Sequence, residues 1–554
     1  MTSIPAPGGT PGSGNVRWSV LITDSVVPEC LALLGTQPGI DVRYRPGLSG
    51  DALAREIADV AALIVRSGTQ VTADVVAAGA LLQVIARAGT GVDNVDVEAA
   101  TARGILVINA PSGNTIAATE HTLGLMLALA RQIPAAHHSL QAGEWQRSRF
   151  LGLELRGKTL GVIGYGRIGR EVARRAAAFG MRIVAHDPFV APHDVDLPGV
   201  ELLPLGGVLA VADFLTFHLP LTATTRHFMN DAAFAQVKPG VRLVNVSRGG
   251  VVDEAALLRA LDAKKVAGAA VDVFAEEPPP KDHPFFHRED VIVTPHLGAS
   301  TREAQELVAL SVAGEVLAVL AGKPAQNAVN FPSLPPALME RAGPFLHLAE
   351  RLGAMLAQLA AGPPGAVRVR FAGEVASFAT EVIALGLYKG LLTPSLGDRV
   401  NFVNCRAILK ERRVSVEHTC SDGAGEFTSL IEVTVESAGT SHMVGGTFRR
   451  DGSYRLVAVD GYAIDATPAG ALIVLKNQDV PGVVGRIGTI LGRHDVNIAT
   501  MTWGRRGERG EDALTVINID SPLPAAAAAE LARDPTVYWV RAVELPPAIR
   551  PGTI

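Results

Sequence analysis

The sequence predicts an α/β protein: two lobes, one built on a doubly wound sheet, followed by an α+β domain and a small β-α-β-β-α-β unit. Three observations lead there. Apolar strand-like runs alternate with helical segments from 16 to 107. The alternation resumes from 161 to 296 behind a glycine-rich turn. The segment 467–554 then changes to hairpin-linked strands with two helices, in β-α-β-β-α-β order.

In the first stretch SVLITD, AALIVRSG and LLQVIARAG are buried-strand runs, and DALAREIAD between the first two is helical. A long apolar helix follows from Thr115, TIAATEHTLGLMLALAR, read as buried between domains. The second stretch supplies six strands: TLGVIGYG, RIVAHD, FLTFHLP, RLVNVSRG, AGAAVDVF and VIVTPHLG. A helix over roughly 301–321 precedes GKPAQNAVNFPSLPPAL, whose prolines and glycine punctuate the chain. These signals place a tail expected to be disordered at 1–17 and a substrate-binding domain at 18–111 and 303–331. A cofactor domain inserted into it occupies 112–302, an α+β domain 332–466 and a terminal unit 467–554.

Composition removes several function classes. The 554 residues contain 50 Lys and Arg against 55 Asp and Glu, a formal charge of −5, so no basic face argues for nucleic acid as a partner. At 48% hydrophobic residues the chain can fill several cores. Three scattered cysteines, Cys30, Cys405 and Cys420, fit neither a disulfide framework nor a zinc site, so no metal is expected and a reducing cytoplasm is the expected setting. No apolar run approaches the ~18 residues of a membrane span.

The chemistry begins at GVIGYGRIGREVA, where Gly164, Gly166 and Gly169 fall in G-x-G-x-x-G spacing after a strand and before a helix. The first glycine allows the tight turn, the second lets backbone approach a pyrophosphate, and the third lets strand and helix pack. Asp187 ends the next strand, about 20 residues on, where a carboxylate binds the ribose hydroxyls and repels a 2′-phosphate, favouring NAD. This is the Rossmann fingerprint. Further along, Arg248, Glu277 and His296 each follow a strand, at the sheet end where ligands bind. An arginine can grip a carboxylate, a histidine can take a hydroxyl proton, and a carboxylate can orient that histidine. Each also has a plainer role open to it: a surface ion pair, a solvated loop acid, a cap.

Taken together, G-Y-G-R-I-G-R, H-D-P, F-H-L-P-L-T, N-V-S-R-G-G-V-V-D, D-V-F-x-x-E-P and T-P-H-L-G-A-S-T resemble the D-isomer-specific 2-hydroxyacid dehydrogenases. V-R-S-G-T, A-R-A-G-T-G-V-D-N-V-D and N-A-P-S-G-N-T point within that family to the branch that oxidises 3-phosphoglycerate. The resemblance implies a Rossmann domain inserted in a flavodoxin-like substrate lobe, with Arg248, Glu277 and His296 catalytic. It implies NAD contacts from Gly164, Gly166, Arg167, Ile168, Gly169, Asp187, His218, Pro220, Thr225, Val246, Asp272 and Gly298, and a substrate face of Arg66, Ser67, Gly89 and Asn114. Arg66 stands out as a second cation suited to a phosphate. The segment 332–466 is similar to the intervening domain of that branch's long form. NQDVPGVVGRIGTIL followed by DVNIATMTWGR resembles an ACT domain, which implies L-serine as effector on Asn477, Asp479 and Asn497, and the branch implies a cytoplasmic homotetramer. Relatives acting on hydroxypyruvate or glyoxylate, and a non-catalytic sensor, share much of this pattern.

Overall fold

The computed structural model describes residues 18–546 apart from 333, 361, 450, 451 and 509. The tail expected at 1–17 therefore lies outside the described residues, as does the end of the terminal unit. Four sheets organise the chain. The first has five parallel strands, β1 (Trp18–Ile22), β2 (Ile40–Tyr44), β3 (Ala62–Val65), β4 (Val84–Arg87) and β5 (Leu106–Asn109). Their order, β2-β1-β3-β4-β5, is the flavodoxin-like one. Helices cover both faces, so β3 reads as an unbroken apolar run with all four residues buried. The helix Arg302–Leu320 returns to this sheet and buries Val308, Val312 and Val316 against it. Just beyond it, Asn330 seals the edge strand: its Oδ1 accepts Val107 N–H at 2.8 Å and its Nδ2 donates to Ile105 O at 2.9 Å.

The second sheet has seven parallel strands rather than the six read from sequence: β6 (Thr159–Ile163), β7 (Arg182–His186), β8 (Val200–Leu202), β9 (Phe214–Phe217), β10 (Val241–Asn245), β11 (Val266–Val271) and β12 (Val291–Val293). The additional strand is β8, three residues at the sheet edge with no fully buried side chain, too short for alternation to reveal it. The order β12-β11-β10-β9-β6-β7-β8 is doubly wound, and its switch point lies between β6 and β9. The helix Thr115–Arg131 buries Leu123, Leu125, Met126 and Leu129 on one face of this sheet within a single chain.

The third sheet, β14-β13-β15-β16-β17-β18, is mixed: β13 (Ala366–Gly373) runs parallel to β14 (Ser415–Ser421), while β15 (Ser429–Ser437), β16 (Thr440–Phe448), β17 (Tyr454–Val459) and β18 (Tyr462–Ala466) pair antiparallel. Two long helices, Pro336–Leu359 and Thr380–Leu396, pack together beside it. Gly353, Gly386 and Gly390 permit their close approach, since a Cβ on Gly390 would stand 1.9 Å from Glu350 O. The fourth sheet is antiparallel, β20-β21-β19-β22, from β19 (Gly470–Gln478), β20 (Ile498–Arg505), β21 (Asp512–Ile519) and β22 (Val537–Leu545), with two helices on one face. Its other face is covered along its apolar residues. Leu472, Val474, Leu514, Val516 and Val543 join the same core as Leu352, Met355 and Leu356 of the first long helix, so the last two domains form one apolar unit. Gln358 completes the join by pairing its amide with β22: Nε2 donates to Glu544 O and Oε1 accepts Glu544 N–H, both at 2.9 Å.

Candidate active site

The loops after β4 and β10 meet, Arg248 reaching Asp93 and Gly91 of the first lobe. The loop after β6 places its glycines as the fingerprint requires. Gly164 adopts φ +92°, and a Cβ there would strike His218 O in the loop after β9 at 2.5 Å. A Cβ on Gly169 would meet Gly164 O at 2.1 Å, whereas nothing lies within 4 Å of one on Gly166, leaving its approach open for a phosphate. Arg167 and Ile168 begin the helix Arg167–Ala178 behind this opening. Asp187 is held rigidly beside it, its two carboxylate oxygens accepting Tyr165 N–H and Phe189 N–H at 2.9 Å each. Thr225 ties its own loop by donating to Pro220 O at 2.6 Å, and a Cβ on Gly298 would stand 2.8 Å from the Val246 side chain. These groups fit a dinucleotide: an open glycine turn, a helix terminus and a fixed acid at one strand end.

Asp272 is buried completely and does more than the sequence suggests. Its carboxylate accepts Thr294 Oγ1–H at 2.6 Å, Leu297 N–H at 2.8 Å and Gly298 N–H at 2.9 Å, with His121 Nε2 at 3.1 Å. Burial raises its pKa, but these hydrogen bonds outweigh that and hold it below the ordinary carboxylate range. Its backbone carbonyl takes His296 N–H at 2.8 Å. Asp272 thus fixes the turn that holds His296 at φ +54°, a left-handed conformation that costs a β-carbon-bearing residue energy and needs such support.

That turn brings His296 Nδ1 to 2.6 Å from Glu277 Oε2. With Nδ1–H donating to the carboxylate, Nε2 keeps its lone pair to accept a proton. Glu277 Oε1 accepts Phe274 N–H at 3.0 Å. Burial pushes the Glu277 carboxyl up, yet His296, Phe274 N–H and the charge of Arg248 together hold it below its usual range. Arg248 crosses the cleft: its Nε donates to Asp93 Oδ2 on the other lobe at 2.9 Å. Its guanidinium lies over Gly91, where a Cβ would stand 1.8 Å from Nη2.

On the substrate lobe, the backbone of Arg66 is pinned by Asp24 Oδ2 at 2.5 Å and by Asn94 Nδ2 at 2.7 Å, and its guanidinium reaches Ser25 O at 3.1 Å. Ser67 beside it is exposed. Asn114 caps the approach to the long helix and accepts Thr90 Oγ1–H at 2.6 Å. Sequence reasoning chose Gly89 and passed over its neighbour Arg87. A Cβ on Gly89 would collide with the Arg87 guanidinium, so the glycine is the bed on which that arginine lies. Burial, reinforced by the charges of Arg248 and Arg66, pulls Arg87 down to about 10, and its Nε has no hydrogen-bond partner. Arg66 and Arg248 oppose its charge, while Asp93 and Asp24 favour it. A charge ending the apolar run LLQVIAR was the signal available.

In the terminal unit, a cavity of about 390 Å³ is lined by Asp479, Pro481, Val484, Trp503 and Arg505. Asp479 Oδ2 lies 2.6 Å from Arg505 Nε. Asn477 is buried instead, donating to Gln478 O and accepting from Thr515, and Asn497 donates to Asp520 at 2.6 Å away from the cavity lining. Of the three residues proposed for an effector, the fold brings Asp479 alone to this cavity. Among the described residues no helix is long and apolar enough to cross a membrane, and no three potential metal ligands cluster.

Comparison with known proteins gives this geometry a lineage. Residues 123–298 match the D-isomer specific 2-hydroxyacid dehydrogenase NAD-binding domain, 341–460 the D-3-phosphoglycerate dehydrogenase intervening domain and 471–536 the ACT domain. The D-3-phosphoglycerate dehydrogenase of Archaeoglobus fulgidus is 42% identical, over 91% of this chain and 95% of its own. The Mycobacterium tuberculosis enzyme of that name is 41% identical, over 95% and 99%. The chain belongs to the D-3-phosphoglycerate dehydrogenase family. It is an NAD-dependent oxidoreductase. A Thermus thermophilus structure aligns with a TM-score of 0.53 at 36% identity, covering 56% of this chain and 99% of that one. Aquifex aeolicus D-lactate dehydrogenase, solved with NAD and lactic acid, aligns with a TM-score of 0.52 at 28% identity, over 57% of this chain and 100% of its own.

Proposed function

We propose that the chain oxidises D-3-phosphoglycerate to 3-phosphohydroxypyruvate, the first step of L-serine formation. The observation that carries this reading is the cation cluster Arg66, Arg87 and Arg248 in one cleft beside the Glu277–His296 pair. One carboxylate needs one arginine, and two further cations suit a phosphate dianion. Arg248 grips the substrate carboxylate from the cofactor lobe while Arg87 and Arg66 hold the phosphate from the other. His296 Nε2 takes the C2 hydroxyl proton, and Glu277 stabilises the imidazolium that results. Bound NAD supplies the hydride acceptor. Asp93, bonded to Arg248 across the cleft, keeps the lobes in register for that alignment. The domain limits 18–111 with 303–331, 112–302, 332–466 and 467–554 describe the functional units.

L-serine is the proposed effector, its ammonium on Asp479 and its carboxylate on Arg505 in the cavity of the terminal unit. Homotetramer formation covers an apolar patch after the long helix, where Trp145 is 77% and Leu151 86% exposed alongside Ile133 and Leu140. A cytoplasmic location agrees with three unpaired cysteines. The test is NADH formation from D-3-phosphoglycerate with NAD and with NADP, followed by an L-serine titration of wild type and Asp479→Ala. Turnover with NAD, and serine inhibition lost in the variant, support the reading. Absence of turnover sinks the substrate, and identical serine responses sink the effector site.

A further inference from the structure

We propose that Glu254 and His283 are positioning residues for the reaction, a part-buried pair that braces from behind the segment Phe274–Glu277 and so sets where Glu277 meets His296. The inference rests on the proposed roles of Glu277 and His296.

Glu254 opens the helix Glu254–Asp262, whose N-cap is Asp253. It lies six residues beyond Arg248 and directs its side chain toward the loop after β11. Its Oε1 accepts Ala275 N–H at 2.7 Å, one residue past Phe274, whose own N–H serves Glu277. Its Oε2 lies 3.3 Å from His283 Nε2. His283 is only 7% exposed and closes the same loop from its far end. The protonation of this imidazole follows from its contacts: Phe285 N–H donates to Nδ1 at 3.3 Å, which leaves the proton on Nε2, facing Glu254. The ring packs edge-on against Phe274 at 5.3 Å and Phe285 at 4.8 Å between centroids, so it cannot swing away without opening that cluster.

The front of the segment is fixed as tightly. A Cβ on Gly249 would stand 1.9 Å from the carbonyl of Phe274, so the backbone next to Arg248 rests directly on the backbone leading to Glu277. The segment is clasped between Gly249 and the Glu254–His283 pair, and the arginine and the acid of the site move as one body. Glu277 itself is 37% exposed, held by Phe274 N–H on one carboxylate oxygen and His296 on the other. Arg248 and His296 are the charged or titratable groups in front of it, with Asp272 behind the His296 turn. None of these contacts Glu254, so a change there reaches the reaction only through the segment.

The experiment measures pH profiles of kcat and kcat/KM, with melting temperature, for wild type, Glu277→Gln, Glu254→Gln, His283→Leu and the Glu254→Gln/His283→Leu double variant. The amide of Glu254→Gln turns a donor toward either Ala275 N–H or His283 Nε2–H, so the clasp fails while the volume stays. The expected result is a ~10- to 100-fold fall in kcat, the scale of a sub-ångström to ångström misplacement, with KM for NAD within about twofold. The pH profile of kcat/KM changes as Glu277→Gln changes it, because each variant leaves His296 without a fixed carboxylate partner. The double variant loses no more than the worse single one, since both remove one pair. Unmoved profiles in Glu254→Gln and His283→Leu, or additive losses that follow melting temperature alone, overturn the brace when Glu277→Gln does change the profile. An unmoved Glu277→Gln profile instead overturns the role of Glu277 and the brace with it.

Discussion

Arg248 and Asp93 join the two lobes directly, guanidinium Nε to carboxylate Oδ2 at 2.9 Å, while Nη1 donates to Ser247 O at 2.8 Å and Nη2 lies over Gly91. Nε and Nη1 are spent on orientation, which leaves Nη2 for a substrate carboxylate. Asp93 is 57% exposed on its side chain, which keeps the pair's contribution near the surface scale of about 1 kcal/mol. Asp93→Asn is therefore expected to raise KM for the acid substrate about fivefold with kcat little changed. Steady-state kinetics check this, and a kcat collapse with unchanged KM would show that Asp93 serves the chemical step instead.

His296 is placed to move the proton. Its left-handed turn and its Glu277 partner serve no evident purpose for stability. His296→Ala is expected to lower turnover at least ~10²-fold, the scale of general acid–base catalysis, while NADH still binds. Near-normal turnover would remove the residue from the mechanism.

Asp187 is locked by two backbone N–H groups before any ribose arrives. Asp187→Ala should weaken NAD and relax the discrimination against NADP, because both the ribose acceptor and the charge that repels a 2′-phosphate are lost. The ratio of kcat/KM for the two cofactors reports it; an unchanged ratio refutes the role.

Asp272 carries a pH signature. Its folded pKa is depressed, so it contributes stability that is fully present above the unfolded carboxylate value of about 3.9 and is lost as pH falls through the lower folded value. Asp272→Asn is expected to cost about 3 kcal/mol or more at pH 7, since the amide turns a donor toward the Leu297, Gly298 or Thr294 donors. Denaturant unfolding at pH 7 and at successive steps below pH 4 should show the gap between wild type and variant closing with acid. A gap independent of pH would place the effect in packing rather than charge.

Much of this was legible in the residues because the backbone demands specific ones. Gly164 needs positive φ, Gly169 admits no Cβ, and Asp187 must end β7, so spacing alone exposed the cofactor turn. Local strand signals failed where local information is thin: β2 is half-buried along its length with charges in it, and β8 has three residues. Asp93, His121, Glu254 and His283 escaped notice for another reason. Each acts through a partner far away in sequence, His121 on Asp272 for instance, and no periodicity records a contact across 151 positions. The shared core of the last two domains was hidden likewise, because an apolar strand face reads the same whether its own helices or a neighbouring domain cover it.

The most direct measurement is NADH oxidation by the purified protein with 3-phosphohydroxypyruvate and with unphosphorylated hydroxypyruvate. Buried charge pairing of the Arg87 kind is worth about 2–5 kcal/mol, which predicts a preference in kcat/KM for the phosphorylated acid of at least ~30-fold. Equal rates, or a preference for hydroxypyruvate, would contradict the phosphate grip of Arg66 and Arg87 and leave the hydride chemistry serving another 2-keto acid.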